Sequence, residues 1–285
     1  MTETVDFGGG ELRKPASRAR VLAVANQKGG VGKTTTALNL ATAIALAGRQ
    51  VLLIDIDPQA NLTSGLGRKN TRATDGTIYD ALTAEYPERG DYILATAIDG
   101  LQLIPADHNL TGAEIELVTL PGRERRLQRL VDPLRSRFDY ILLDSPPSLG
   151  LLTLNALIAS DAVLIPLHCE YFALEGLADL VGTIRRVRGA LNPTLDIEGV
   201  LLTMYDERTN LGQQVARDVR AFFRDKVYRT VIPRNVRLGE APSHGIPGVL
   251  YDPKSKGAEA YLSLAQELLS RAGGSVERTA TDGRP

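Results

Sequence analysis

At 285 residues the chain is long enough for one large α/β domain with a substantial core. Its formal net charge of −1 excludes a globally basic nucleic-acid binder, so any contact with DNA must come from a local patch. Cys169 is the single cysteine, which excludes an internal disulfide framework. No apolar run approaches the roughly 20 residues of a membrane-spanning helix and no signal-peptide core opens the chain, so a cytoplasmic protein is expected.

Residues 1–19 are polar and aperiodic, and read as a flexible tail. Residues 21–25 predict a buried strand that breaks into Lys28-Gly29-Gly30-Val31-Gly32-Lys33-Thr34-Thr35. Leu38, Ala41, Ala45 and Leu46 follow at helical spacing and stop at Gly48, a good C-cap residue. Residues 51–54 predict a second buried strand closing on Asp55 and Asp57. Strand, glycine loop, helix and strand together form the setting of a phosphate-binding loop. The glycines let successive backbone amides face polyphosphate, and the helix dipole adds to them. Lys33 suits the β- and γ-phosphates and the Thr34 hydroxyl suits Mg²⁺, so ATP with Mg²⁺ is the expected ligand, bound by residues 28–35. Gln27 stands where the usual motif has its first glycine, and a second lysine, Lys28, opens the loop instead.

Carboxylates at the end of a strand beside such a loop sit in the ligand crevice of a parallel sheet. Hydrolysis of a phosphoanhydride needs an oriented water and a neutralising metal. Asp57 is the choice for orienting the water, and Asp55 for supporting the metal and the loop network. Further on, residues 77–82 predict a short helix, 101–104 a strand and 113–117 the start of a helix. Residues 123–137 predict a basic helix with Leu127, Leu130 and Leu134 on one face and an ordinary solvated charged surface. Residues 138–144 are apolar and end in an acid, the pattern of a Walker B strand, so Asp144 should hold Mg²⁺. Pro146 and Pro147 fix the turn that follows. Residues 162–167 predict another strand. The neighbouring His168, Cys169 and Glu170 alternate faces and make a poor metal site. A helix over 174–191 and a strand over 199–204 complete the series.

Five buried strands, each paired with a helix, indicate an α/β fold with a doubly wound, mostly parallel sheet flanked by helices. A single ATPase domain over residues 20–272 is expected, with a disordered tail over 273–285. Between Tyr205 and Arg237 eight basic residues face four acidic ones. Arg217, Arg220 and Arg224 recur at helical spacing, a stripe able to neutralise phosphates without reading bases, although such stripes usually just face water. Residues 257–271 predict an amphipathic helix with Ala260, Leu264 and Leu268 inward.

The loop form Lys-Gly-Gly-x-Gly-Lys-Thr-Thr resembles the deviant Walker A ATPases. The run from Glu198 to Met204, Asp206-x-Arg208-Thr209-Asn210-Leu211-Gly212 and the segments at Val231–Leu238 and Glu240–Gly245 are similar to the ParA/Soj family. The resemblance spans nearly all of residues 21–269. It implies that Lys28 acts across an ATP-dependent homodimer alongside the catalytic Lys33, and that Asp57 is needed for hydrolysis. It implies that Arg208 and Arg237 carry non-specific binding of double-stranded DNA by that dimer, with Lys254 a weaker candidate; Arg217 and Arg220 are the further candidates that the charged stripe itself offers. It places Pro233 and Asn235 near adenine, and implies a ParB-like centromere-binding partner and a place on the nucleoid. A membrane-cycling relative of MinD is the alternative, but residues 275–285 offer only Val276 as an apolar anchor besides alanine. An iron–sulfur relative needs two thiolates per subunit, and one cysteine is too few.

Overall fold

The computed structural model describes residues 18–170 and 173–279. Seven strands form one sheet: β1 Arg20–Val24, β2 Val51–Asp55, β3 Leu94–Ala95, β4 Leu101–Ile104, β5 Tyr140–Asp144, β6 Ala162–His168 and β7 Asp196–Thr203. Their order is β3-β4-β2-β5-β1-β6-β7, and every neighbouring pair is parallel except β3 with β4. The helices are α1 Lys33–Leu46, α2 Asn61–Gly65, α3 Ile78–Thr83, α4 Leu110–Glu116, α5 Arg126–Leu134, α6 Leu151–Ala159, α7 Ala173–Ala190, α8 Asn210–Phe223, α9 Val236–Glu240, α10 Gly248–Tyr251 and α11 Lys256–Thr279.

Alternation along the strands divides the core in two. Val21, Ala23, Leu52, Ile54, Ile141 and Leu143 face the layer built from α3 to α8. Leu22, Val24, Val51, Leu53 and Leu142 face α1, α2 and α9 to α11, where Leu264 and Leu268 are fully buried. With both faces covered, the central strands read as continuous apolar runs, which is why the sequence betrays them. Each fully buried Leu, Ile or Val contributes roughly 1.5–3 kcal/mol through removal from water.

Register sets the level of the site. Val24 lies opposite Asp144, and Asp144 lies opposite Asp55. The ends of β1, β5 and β2 therefore meet at one height, at the carboxyl edge where a doubly wound sheet opens its crevice.

The structure corrects four sequence expectations. The tail ends one residue earlier, because Ala19 is buried and its amide donates to the Arg135 carbonyl at 2.7 Å. Arg126 and Arg135 do not belong to a solvated surface. Arg135 donates to Asp161 at 2.8 Å and to the Ala19 and Ala159 carbonyls, and Arg126 donates to the Ala84 carbonyl, so both guanidinia are buried as clamps. Arg224 lies just past the end of α8 with φ 50°, so the helical part of the stripe is Arg217 and Arg220. Finally, α11 runs to Thr279, past Gly273 and Gly274, where a disordered tail was expected. A glycine costs about 1 kcal/mol relative to alanine, which weakens a propagating helix without ending it. The rest of the expected tail, residues 280–285, lies outside the described residues, as do residues 1–17.

Candidate functional site

Beyond β1 the chain leaves the sheet through Asn26. Its side-chain amide donates to the Pro166 carbonyl at 2.7 Å, and its oxygen accepts the Lys28 amide at 3.0 Å. The loop then turns through Gly30 at φ 71° and Gly32 at φ 85°, left-handed values that glycine adopts without a Cβ clash. Gly32 directly precedes α1, so the unpaired amides of the first turn and the positive end of the helix dipole face the loop interior. The Thr203 hydroxyl donates to the Val31 carbonyl at 2.8 Å and ties the loop to β7.

Lys33 is only 6% exposed, and its ammonium donates to the Lys28 carbonyl at 3.1 Å. Burial lowers its pKa, and the nearby Asp144 and Asp57 carboxylates pull it back up. Asp55 and Asp144 lie side by side and fully buried. They differ in how their oxygens are used. Asp55 accepts the Thr63 amide at 2.9 Å, the Thr63 hydroxyl at 2.7 Å and the Asp57 amide at 3.2 Å. Burial pushes it up to about 6 despite those bonds. Asp55 thus holds the start of α2 in place. Neither oxygen of Asp144 accepts a well-formed hydrogen bond, and the Thr34 hydroxyl lies near the carboxylate without closing one. Burial and then the Asp55 charge hold Asp144 well above the usual carboxylate range, with the Thr34 hydroxyl and Lys33 opposing more weakly.

A buried carboxylate with free oxygens is a place for a cation. Among the described residues no three acidic, histidine or cysteine side chains close into a cage. Magnesium needs no such cage, since one or two protein oxygens plus phosphate and water satisfy it. Asp144 and Thr34 therefore fit a magnesium polyphosphate. Asp57 is buried, its carboxylate accepts the Gln59 amide at 3.0 Å, and its carbonyl accepts the Ala60 amide at 2.9 Å. Ala60, the next turn residue, is left-handed at φ 51°.

A cavity of about 450 Å³ opens over these groups. Gly29, Gly30, Gly32, Lys33, Thr34, Thr35 and Asp57 line its polar end, and Pro233 and Asn235 line the other with Ile232 and Leu238. Asn235 also caps α9, accepting the Arg237 amide at 2.9 Å. Lys28 is not in the wall. Its ammonium pairs with Glu170 of its own chain, whose second oxygen pairs with His168 Nδ1 at 2.8 Å. The sequence reading missed Glu170 in this role. Burial pushes the adjacent Cys169 thiol up to about 11, so no thiolate is offered there.

The arginines expected on DNA lie outside the cavity. Arg208, 86% exposed, forks onto Asp206 through Nε at 2.9 Å and Nη2 at 2.7 Å. Arg237 pairs with Glu240 at 2.9 Å and Asp252 at 3.4 Å. Arg217, Arg220 and Lys254 are exposed, and none makes an ion pair among the described residues. The spacing Asp206-x-Arg208 was the available signal for the first pairing. Arg237 and Glu240 carry the i,i+3 spacing of a helical pair, and Asp252 carries no such signal.

A family model described as "AAA domain" matches residues 19–197. The chain is 57% identical over 249 residues to the sporulation initiation inhibitor protein Soj of Bacillus subtilis, covering 87% of this chain and 98% of that protein. It is 56% identical over 258 residues to the chromosome partitioning protein ParA of Caulobacter vibrioides, covering 90% and 96%. Among solved structures, cobyrinic acid a,c-diamide synthase from Mycobacterium smegmatis with bound ATP analog and magnesium superposes with a TM-score of 0.76 at 38% identity, covering 90% of this chain and 97% of that one. This chain belongs to the ParA/Soj family of P-loop ATPases.

Proposed function

We propose that the protein is a DNA-partitioning ATPase whose hold on chromosome or plasmid DNA is switched by ATP. The observation that carries this reading is the pair at the mouth of the glycine loop: a buried Lys33 and a buried Asp144 whose oxygens have no partner. That pair asks for a polyanion and a divalent cation together. The ligands in the related mycobacterial structure, an ATP analog and magnesium, supply both. Lys33 and the loop amides hold the phosphates, Thr34 and Asp144 hold magnesium, and Pro233 and Asn235 border the base. Asp55 acts through Thr63 and keeps the Asp57 turn in register, and Asp57 orients the attacking water. Bound magnesium neutralises charge on the phosphates as it develops.

Lys28 exchanges Glu170 for the nucleotide of a second copy, so ATP makes the homodimer. Pairing two copies doubles the basic face. Arg208 and Arg237, with Arg217, Arg220 and Lys254 beside them, then hold duplex DNA without reading its sequence and place the protein on the nucleoid. Hydrolysis, accelerated by a ParB-like partner, separates the copies and releases the DNA. The partitioning names of the curated relatives support this assignment. Gel shift and sedimentation across a salt series test it, run without nucleotide and with ADP, ATP or a non-hydrolysable analogue. Dimers and bound DNA should appear together and only in the last two states. Equal DNA binding in all four states would sink the reading.

A further inference from the structure

We propose that Asp206, with Glu240 and Asp252, occupies the DNA-facing arginines as an internal stand-in for phosphate, and so sets how tightly and how salt-sensitively the protein grips DNA. The inference rests on the DNA-binding reading above. The two oxygens of Asp206 meet Nε and Nη2 of Arg208 at 2.9 and 2.7 Å, the fork-on-fork arrangement that a phosphate also takes. Asp206 is itself fixed, since it accepts the Arg208 backbone amide at 3.0 Å. Its hydrogen bonds from Arg208 hold its carboxyl down at about 2, so it stays charged at any working pH. Arg237 shows the same device built from other elements, with Glu240 one turn along and Asp252 from the chain beyond α10. Arg217 and Arg220 on α8 have no such partner among the described residues, so the pairing is not a general property of the basic face.

Exposed ion pairs are weak, so a DNA phosphate displaces the carboxylate readily. The freed carboxylate then gathers a cation from solution, which offsets one of the cations that DNA gives up. Affinity is lower, and its fall with salt shallower, than the number of arginine contacts alone would give. Such a grip is easier to let go of.

The test measures DNA affinity of the ATP-bound full chain over a salt series, with the dimer fraction followed by sedimentation. Asp206→Asn keeps the acceptor for the Arg208 amide and removes the charge. It should tighten binding about two- to fivefold and steepen the log–log salt slope by up to about one per subunit. Glu240→Gln should act in the same direction but more weakly, because Asp252 remains. Asp99→Asn is the control: it removes the same charge from an exposed position ahead of β4, at the other end of the sheet. If Asp206→Asn matches Asp99→Asn in both affinity and slope, or weakens binding, the proposal is overturned while the DNA-binding reading stands. If the unaltered chain binds no DNA with ATP, both fall together.

Discussion

The nucleotide cleft and the exposed arginines outside it handle charge in opposite ways. In the cleft, Lys33 and Asp144 are buried, and the Asp144 oxygens are left without partners. Outside it, Arg208 and Arg237 are exposed and already paired. A buried charge interacts strongly and is costly to leave unsatisfied, so the cleft is primed for its ligand. An exposed charge interacts weakly and exchanges partners cheaply, so these arginines suit a hold that must be released. One region demands occupancy; the other tolerates vacancy.

The largest effect should come from Lys33→Ala, which removes the cleft's buried ammonium. ATP turnover should fall about 100- to 1000-fold, the scale of losing one preorganised charge donor, and ATP-dependent DNA binding should vanish with it. Retention of that DNA binding would mean that the two regions are not coupled through nucleotide.

Asp144→Asn sharpens the contrast through stability. Both buried carboxylates have raised pKa values, so the folded chain holds protons more tightly than the unfolded chain does. For Asp55, at about 6 against an ordinary carboxyl value of 3.8, stability is fully present below about pH 4 and is lost as pH rises through 6. The loss is roughly 3 kcal/mol. Asp144 adds to it in the same direction. Without ligand, Asp144→Asn should therefore melt several degrees higher than the parent at pH 7.5, at about 2–4 °C per kcal/mol, with the gap narrowing as pH falls towards 4. Subtracting variant from parent removes the opposing contribution of His168, whose pKa burial lowers. A variant that melts lower than the parent at pH 7.5 would show that the orphaned carboxylate is no liability.

On the exposed side, Arg237→Ala should cost up to about tenfold in DNA affinity while ATP-driven pairing persists, and it should lower the salt slope by less than about one per subunit, because Glu240 and Asp252 already offset part of that contact. Loss of the dimer would make Arg237 structural instead. The smallest effect belongs to Ala60. Its left-handed φ of 51° costs an L-residue about 1 kcal/mol, and replacement by glycine recovers that while adding nearly as much unfolded-chain entropy. Ala60→Gly should shift chemical-denaturation stability by less than about 0.5 kcal/mol. A larger loss would show that the turn is not strained.

What could be read from the sequence follows the same division. The positions of the loop, of Asp57 beside it and of Asp144 at the end of β5 were legible because their spacing and flanking apolar runs are local. The mostly parallel sheet followed from strands buried on both sides. Asp55 was expected to support both metal and loop network, and its bonds to Thr63 and the Asp57 amide show the second of these. Pairings between residues far apart in the chain were not legible. Lys28 meets Glu170 from 142 positions away, and Arg135 meets Asp161 across two elements. The two-residue edge strand β3 is too short to show any alternation. Buried Arg126 looked like its solvated neighbours because charge patterning alone does not report depth.

The clamp made by Arg135 has a practical consequence. It fixes Ala19 and, through Asp161, the amide of Val21, at the end of β1 opposite the glycine loop. Five strand residues, about 16 Å, separate that anchor from the carboxyl edge. A fluorescent protein fused directly ahead of Arg18 would therefore enter at the edge of the sheet opposite the glycine loop and the cavity, which suits that junction to labelling for live-cell tracking.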